Sequence, residues 1–289
     1  MVTSQPQEPS VLALLQRGDG PPVLIIHGIY GSGFLLSSLT NHLATRYHVI
    51  APDMRGHGDS GSIPGPMYAE SVALDLLPTL DKLGVTSVHV IGHSHGGATA
   101  QAFAHLAPEQ VRSLTLVSTY TFQPLMWWER LAGVFTPLLV MTLRTTALSN
   151  LIRILRPSGG GPRLSRDNAD LLARQIARNN ARRMSVAFAA ARSFNSRFWL
   201  DDINVPTLVV TGTSDHMVSP RQARLLAQGI RNAKYEELPG AGHMLPLTHQ
   251  DEFEQLVMEW LAKVEQAAPA LQVSAQNPRK DNSVPHERS

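Results

Sequence analysis

The 289-residue chain contains no cysteine. Disulfides, thiolate nucleophiles, cysteine-ligated zinc and iron–sulfur clusters are thereby excluded. It has little net charge: 25 Lys and Arg stand against 23 Asp and Glu, a formal +2. No chain-wide basic field is on offer to nucleic acid. It also lacks an apolar run long enough to cross a bilayer, which takes about 20 residues. The longest near-apolar stretch, Leu131–Leu143, is shorter and contains Gly133 and Pro137. That leaves open an interfacial segment, a peripheral membrane contact or a wall for a lipid-like substrate. Met1–Ser10 has no Lys or Arg, and the apolar run Val11–Leu15 is too short for a secretory signal. A cytoplasmic protein is the expectation. What is present is a composition that can bury a core, with 43% hydrophobic and 17% charged residues.

The charge is unevenly placed. Between residues 121 and 200 there are 12 basic residues, all arginine, and three acidic ones, so the rest of the chain is net acidic. Such a stretch reads either as solvated helix faces or as a surface for anionic substrates, an anionic membrane or a partner.

Before residue 120, short apolar runs alternate with helical patterns. Val23–His27, Val49–Pro52, Ser87–Ile91 and Leu114–Ser118 read as buried strands. Phe34–Arg46, Glu70–Leu83 (stopped at Gly84) and Ser94–Ala107 (stopped before Pro108) read as helices. Near-continuous apolar strands alternating with helices indicate a parallel sheet covered on both faces. Residues 121–200 break the rhythm. They hold aromatic clusters, a Ser-Gly-Gly-Gly loop at 158–161 and one Arg-rich helical stretch, Asp167–Arg192, but no good strand. The alternation returns with a strand at Thr207–Thr211, a helix from Pro220, a strand at Lys234–Leu238 and a helix from Gln250 to about Val264. Four segments follow: 1–120, 121–200, 201–266, and a Pro-, Ser- and Asn-rich tail at 267–289 expected to be disordered.

The strongest chemical signal is Gly92-His93-Ser94-His95-Gly96, between an expected strand and an expected helix. A G-x-S-x-G elbow holds its serine in a strained turn, and Gly92 and Gly96 remove side chains that would clash. Ser94 Oγ is then lifted to the N-terminus of a helix, where N–H groups stabilise negative charge. A serine hydroxyl needs a base. An acid and a histidine are expected in the chain order Ser, acid, His. Asp215 lies just past the carboxyl end of Thr207–Thr211, where open parallel sheets place active sites. His243, in Gly240-Ala241-Gly242-His243, follows the last strand. Asp201 and Asp202 precede their strand, and Leu114–Ser118 runs into Thr119-Tyr120 with no acid. His216 and His249 read as surface residues. The loop His27-Gly28-Ile29-Tyr30-Gly31 is the candidate for the remaining oxyanion donor, which assigns that role to the backbone N–H groups of Ile29 and His95. The His27 side chain reads as structural. Candidate substrate contacts are Tyr30, Tyr120, Trp127, Met217 and Met244.

These motifs, in this order, resemble the α/β-hydrolase fold superfamily, with Asp53-Met54-Arg55-Gly56-His57-Gly58-Asp59-Ser60 as a further hallmark. The match spans about residues 10–120 and 201–265. The resemblance implies an eight-stranded, mostly parallel sheet with a helical cap, here residues 121–200, inserted after strand six. Close relatives usually carry Met or Leu where this chain has His95. Relatives that are dehalogenases or epoxide hydrolases use Asp at the elbow, so Ser94 points instead to acyl transfer. A hydrophobic carboxylic ester is the first expectation for the substrate. A carbon–carbon bond, thioester or lactone is the alternative, and a non-catalytic binding protein is disfavoured because every catalytic position is filled. The histidines lack the i, i+4 spacing of a metal site and no phosphate-binding glycine fingerprint is present, so no metal or cofactor is expected.

Overall fold

The computed structural model describes residues 11–122 and 145–275. Trp127 and Leu131–Leu143 lie outside them. The described residues form a seven-stranded sheet. Its strands are β1 (Leu14–Arg17), β2 (Pro22–Ile26), β3 (His48–Pro52), β4 (Val88–His93), β5 (Val111–Val117), β6 (Thr207–Gly212) and β7 (Ala233–Leu238), in the order β1-β3-β2-β4-β5-β6-β7. All neighbours are parallel except β1 with β3.

The apolar strand runs follow from burial on two faces. Leu24 and Ile26 of β2 point into one core and Val23 and Ile25 into the other. The first core is closed by Leu76 and Leu80 of α2 (Ala69–Lys82), Phe103 of α3 (His95–Leu106) and, across the insertion described next, Leu226 of α7 (Pro220–Gly229). The second is closed by Leu39 and Leu43 of α1 (Ser37–Leu43) and by Phe253, Val257 and Leu261 of α9 (Gln250–Ala275). Between β5 and β6 the chain inserts α4 (Thr145–Leu155), α5 (Arg166–Arg178) and α6 (Ala181–Ser193); α8 (Leu245–Thr248) precedes α9.

This topology fixes where a site can form. β3 lies on one side of β2 and β4 on the other. The loops leaving the carboxyl ends of β2 and β4 therefore part in opposite directions and open a crevice. The first of those loops carries Gly28 and Ile29, and the second carries Ser94.

Four expectations need correction. The sheet has seven strands among the described residues, not eight, so the insertion follows the fifth. β1 was not anticipated; it is a four-residue edge strand, half exposed, and only Leu14 and Leu15 of the apolar run Val11–Leu15 fall within it. The single helical stretch Asp167–Arg192 is two helices, because the Asn180 side chain accepts from Arg183 N–H (3.2 Å) and starts a new one. The last helix passes Val264 and runs to Ala275, so the tail expected from residue 267 is helical at its start.

Candidate active site

Ser94 sits between β4 and α3 at φ 55°, ψ −121°. Few non-glycine residues adopt such a backbone, and the surrounding packing enforces it. Its N–H donates to the Val117 carbonyl at 2.9 Å. A Cβ on Gly92 would run into the Gly96 carbonyl, and a Cβ on Gly96 would run into the carbonyls of Ile26 and His27. The elbow glycines are thus required by close backbone approach.

The structure brings Ser94, His243 and Asp215 into one chain of hydrogen bonds. Ser94 Oγ lies 3.0 Å from His243 Nε2, and His243 Nδ1 lies 3.0 Å from Asp215 Oδ2. Ser94 is half-buried, whereas His243 and Asp215 are buried. The other carboxylate oxygen, Oδ1, accepts the N–H groups of Met217 (2.9 Å) and Val218 (2.8 Å). The carboxylate is therefore held from both sides. With Nδ1 donating to Asp215, Nε2 carries the lone pair and accepts from the serine hydroxyl.

Gly28 brings the β2 loop against the elbow: a Cβ there would lie 3.1 Å from Ser94 Cβ. Ile29 follows it. His95 opens α3, whose first N–H groups have no partner within the helix. His27 serves the backbone, as Nδ1–H donates to the Gly28 carbonyl (2.7 Å) and Nε2 accepts from Met54 N–H (2.9 Å). Asp53 does the same for its loop, accepting from Gly33 and Asp59 N–H, both at 2.7 Å.

The candidate substrate contacts separate. Met217 is 61% exposed and lies beside Gly159 and His243. Tyr30 is half-buried against Phe188 of the insertion, ring centroids 5.7 Å apart, and Met244 packs with Leu164 and Leu172. Tyr120 is instead a core residue, 1% exposed, with its hydroxyl 3.2 Å from His95 Nδ1 and donating to the Ala191 carbonyl. Trp127 lies outside the described residues.

Two features were not visible in the sequence. His93 Nε2 donates to the His243 carbonyl (3.0 Å), and the two rings stand 5.1 Å apart, so the residue before the serine props the histidine loop. The arginines of the insertion are also partly committed: Arg178 pairs with Asp59, Arg153 with Asp170, and Arg183 donates to the Ile63 carbonyl.

Four buried histidines surround the elbow. Burial, the largest cause in each case, lowers His27, His57, His93 and His95, taking His93 and His95 to about 4. At His93 and His95 the unfolded chain therefore binds protons near pH 6.5 that the folded chain refuses until about pH 4. Their contribution is complete above pH 6.5 and is lost as pH falls toward 4. His93 and His95 alone give a slope of about 2–3 kcal/mol per pH unit in that window. Urea denaturation at pH 7.5 and 5.5 measures it; equal midpoints would mean that these rings take their protons in the folded protein.

The sequence model of the alpha/beta hydrolase fold family matches residues 21–250. The chain belongs to that family. A carbamate hydrolase RutD, so named provisionally, from Azorhizobium caulinodans is 29% identical over 258 residues, 86% of this chain and 94% of its own. The 2-hydroxymuconate semialdehyde hydrolase of Pseudomonas putida is 29% identical over 272 residues, 87% and 91% of the two chains. The solved structure of a thermophilic esterase from Thermogutta terrifontis superposes with a TM-score of 0.77 at 26% identity, covering 88% of this chain and 93% of that one. This alpha/beta hydrolase thus resembles relatives named for several different scissile bonds. No helix among its described residues is long and apolar enough to cross a membrane.

Proposed function

We propose that this alpha/beta hydrolase is a serine esterase that cleaves carboxylic esters through an acyl-enzyme. The observation that carries the reading is the Ser94–His243–Asp215 chain, with both contacts at 3.0 Å and the serine on a strained elbow. Ser94 Oγ attacks the ester carbonyl carbon while His243 Nε2 takes its proton. Asp215 fixes the imidazole tautomer and stabilises the imidazolium. The N–H groups of Ile29 and His95 receive the oxyanion. His243 then returns the proton to the leaving alcohol, and water repeats the sequence to release the acid.

In this reading residues 121–200 are a helical cap over a core made of 1–120 and 201–266. Met184, Ala187 and Ala190 of α6 pack with Met67 and touch Ile29 and Tyr30, which supports that placement. The apolar character of those contacts suits a hydrophobic acyl chain. The test is hydrolysis of p-nitrophenyl esters from acetate to palmitate by wild type and Ser94→Ala. A Ser94-dependent rate with a clear chain-length optimum is expected. No such rate on any ester would sink the esterase reading and leave carbon–carbon, thioester or lactone cleavage by the same residues.

The insertion also supports a peripheral contact with an anionic membrane. Leu151, Ile154 and Leu155 form one exposed stripe on α4, with Ile154 74% exposed, and the adjoining groove is lined by Arg153, Arg156 and Arg166 together with Asp170, which pairs with Arg153. Sedimentation with phosphatidylglycerol vesicles, lost in Ile154→Asp and absent with phosphatidylcholine, is the expected result; equal binding to both lipids would count against it.

A further inference from the structure

The run Ser158-Gly159-Gly160-Gly161 joins α4 to α5, and the chemistry above makes no use of it. It lies against both loops that carry the base and the acid. His216, the residue after Asp215, donates its N–H to the Gly159 carbonyl at 2.8 Å. Met244, the residue after His243, donates its N–H to the Ser158 carbonyl at 2.8 Å. Backbone meets backbone here with no room for side chains. A Cβ on Gly159 would lie 2.5 Å from His243 Cβ, one on Gly160 would overlap the Ser214 carbonyl oxygen, and one on Gly161 would overlap that of Gly240. The fit is mutual, since a Cβ on Gly242 would overlap the Gly160 carbonyl. All three glycines have positive φ, at 73°, 120° and 66°. Ser158 Oγ donates to the Gly160 carbonyl and closes the run on itself.

We infer that residues 158–161 are a clasp by which the helical insertion holds the Asp215 and His243 loops in register, making these glycines positioning residues for the base. The inference rests on reading Ser94, His243 and Asp215 as catalytic. The two loops also meet directly, through Ser214 N–H on the Ala241 carbonyl at 2.9 Å. That contact lies on the near side of the acid and the base, whereas the clasp holds the residues just beyond them. Because Asp215 Oδ1 is bonded to the N–H groups of Met217 and Val218, the whole 215–218 turn moves with the carboxylate. Pressure from the clasp therefore reaches the acid through that turn and the base through His243 Cβ. A displacement of order 1 Å is enough to cost about 100-fold in rate. The insertion is thereby coupled to the reacting geometry, not only to the shape of the pocket.

The test compares Gly160→Ala with Gly240→Ala. Gly240 has the same kind of backbone, φ 73°, but a Cβ there meets nothing within 4 Å, so it controls for strain without contact. Two readouts are taken: kcat and KM on the best p-nitrophenyl ester, and the low-field proton NMR resonance of the His243 Nδ1–H, identified by its loss in Asp215→Asn. Gly160→Ala is expected to lower kcat about 100-fold with little change in KM and to displace that resonance. Gly240→Ala is expected to stay within about threefold of wild type. If the two variants behave alike, or if Gly160→Ala keeps both the wild-type kcat and the resonance, the clasp is overturned. Should Gly160→Ala not fold, Gly159→Ala replaces it, since its Cβ meets His243 and the flexible end of Met217. If wild type shows the resonance but no Ser94-dependent ester turnover, the esterase reading fails on its own. The resonance then decides: displaced in Gly160→Ala it supports the clasp, and unmoved it overturns it.

Discussion

Ser94→Ala is expected to lower kcat on the best ester by about a million-fold while leaving the fold unchanged. The loss is large because, in the proposed mechanism, the hydroxyl oxygen forms the new bond, and without it the imidazole has no serine proton to take and the carboxylate no imidazolium to stabilise. The remaining rate is that of water attacking an ester held against the Ile29 and His95 N–H groups, about 10³–10⁴ above the uncatalysed reaction. The fold should persist because alanine keeps the Cβ that already occupies the strained position, and the N–H of residue 94 still meets the Val117 carbonyl. Single-turnover kinetics and a thermal melt of the same preparation check both halves. A variant that keeps more than about one part in a hundred of the rate, with an unchanged melt, would show that the nucleophile is another group.

Much of this site could be read from spacing, and the reason is physical. A parallel sheet buried on both faces needs strands that are apolar throughout, so β2, β4, β5 and β6 announce themselves as runs. The chemistry then has to sit just past their carboxyl ends, which is where Gly28, Ser94 and Asp215 stand. Elements whose stability is set by distant partners were not legible. β1 carries only Leu14 and Leu15 as apolar residues, and it exists because its backbone pairs with β3. The composition from residue 267 onward pointed to a disordered tail, yet the last helix continues to Ala275. Tyr120 stood among the candidate substrate contacts, and nothing local marks its core partners. Its hydroxyl finds His95 and the Ala191 carbonyl below the surface. The partner of His93 lies 150 residues away, at His243, and no local pattern records it. The glycines at 158–161 read as an ordinary loop because their reason is the Ser214 and Gly240 carbonyls, which only the folded chain brings near.

Asp215→Asn carries the second large effect, and the hydrogen bonds of Asp215 determine its sign. An amide has one acceptor end and one donor end. In the wild-type structure Oδ1 accepts two N–H groups, from Met217 and Val218, and Oδ2 faces His243 Nδ1. The asparagine must place its oxygen on the two N–H donors, since the reverse would set its NH₂ against both. Its NH₂ then faces Nδ1. The imidazole is driven into the tautomer with the proton on Nε2, the nitrogen 3.0 Å from Ser94 Oγ. A base with its lone pair turned away cannot accept the serine proton, and the charge that would stabilise an imidazolium is gone as well. The expected loss in kcat is about 10⁴-fold with KM little changed, because no contact with bound ester is altered. The turn itself keeps both backbone bonds, so the melt should stay near that of wild type. The Nδ1–H resonance should vanish, which reports the tautomer independently of turnover. A variant retaining a tenth or more of the wild-type rate would place the acid elsewhere. The end of β5 offers no substitute, because Ser118, Thr119 and Tyr120 occupy it.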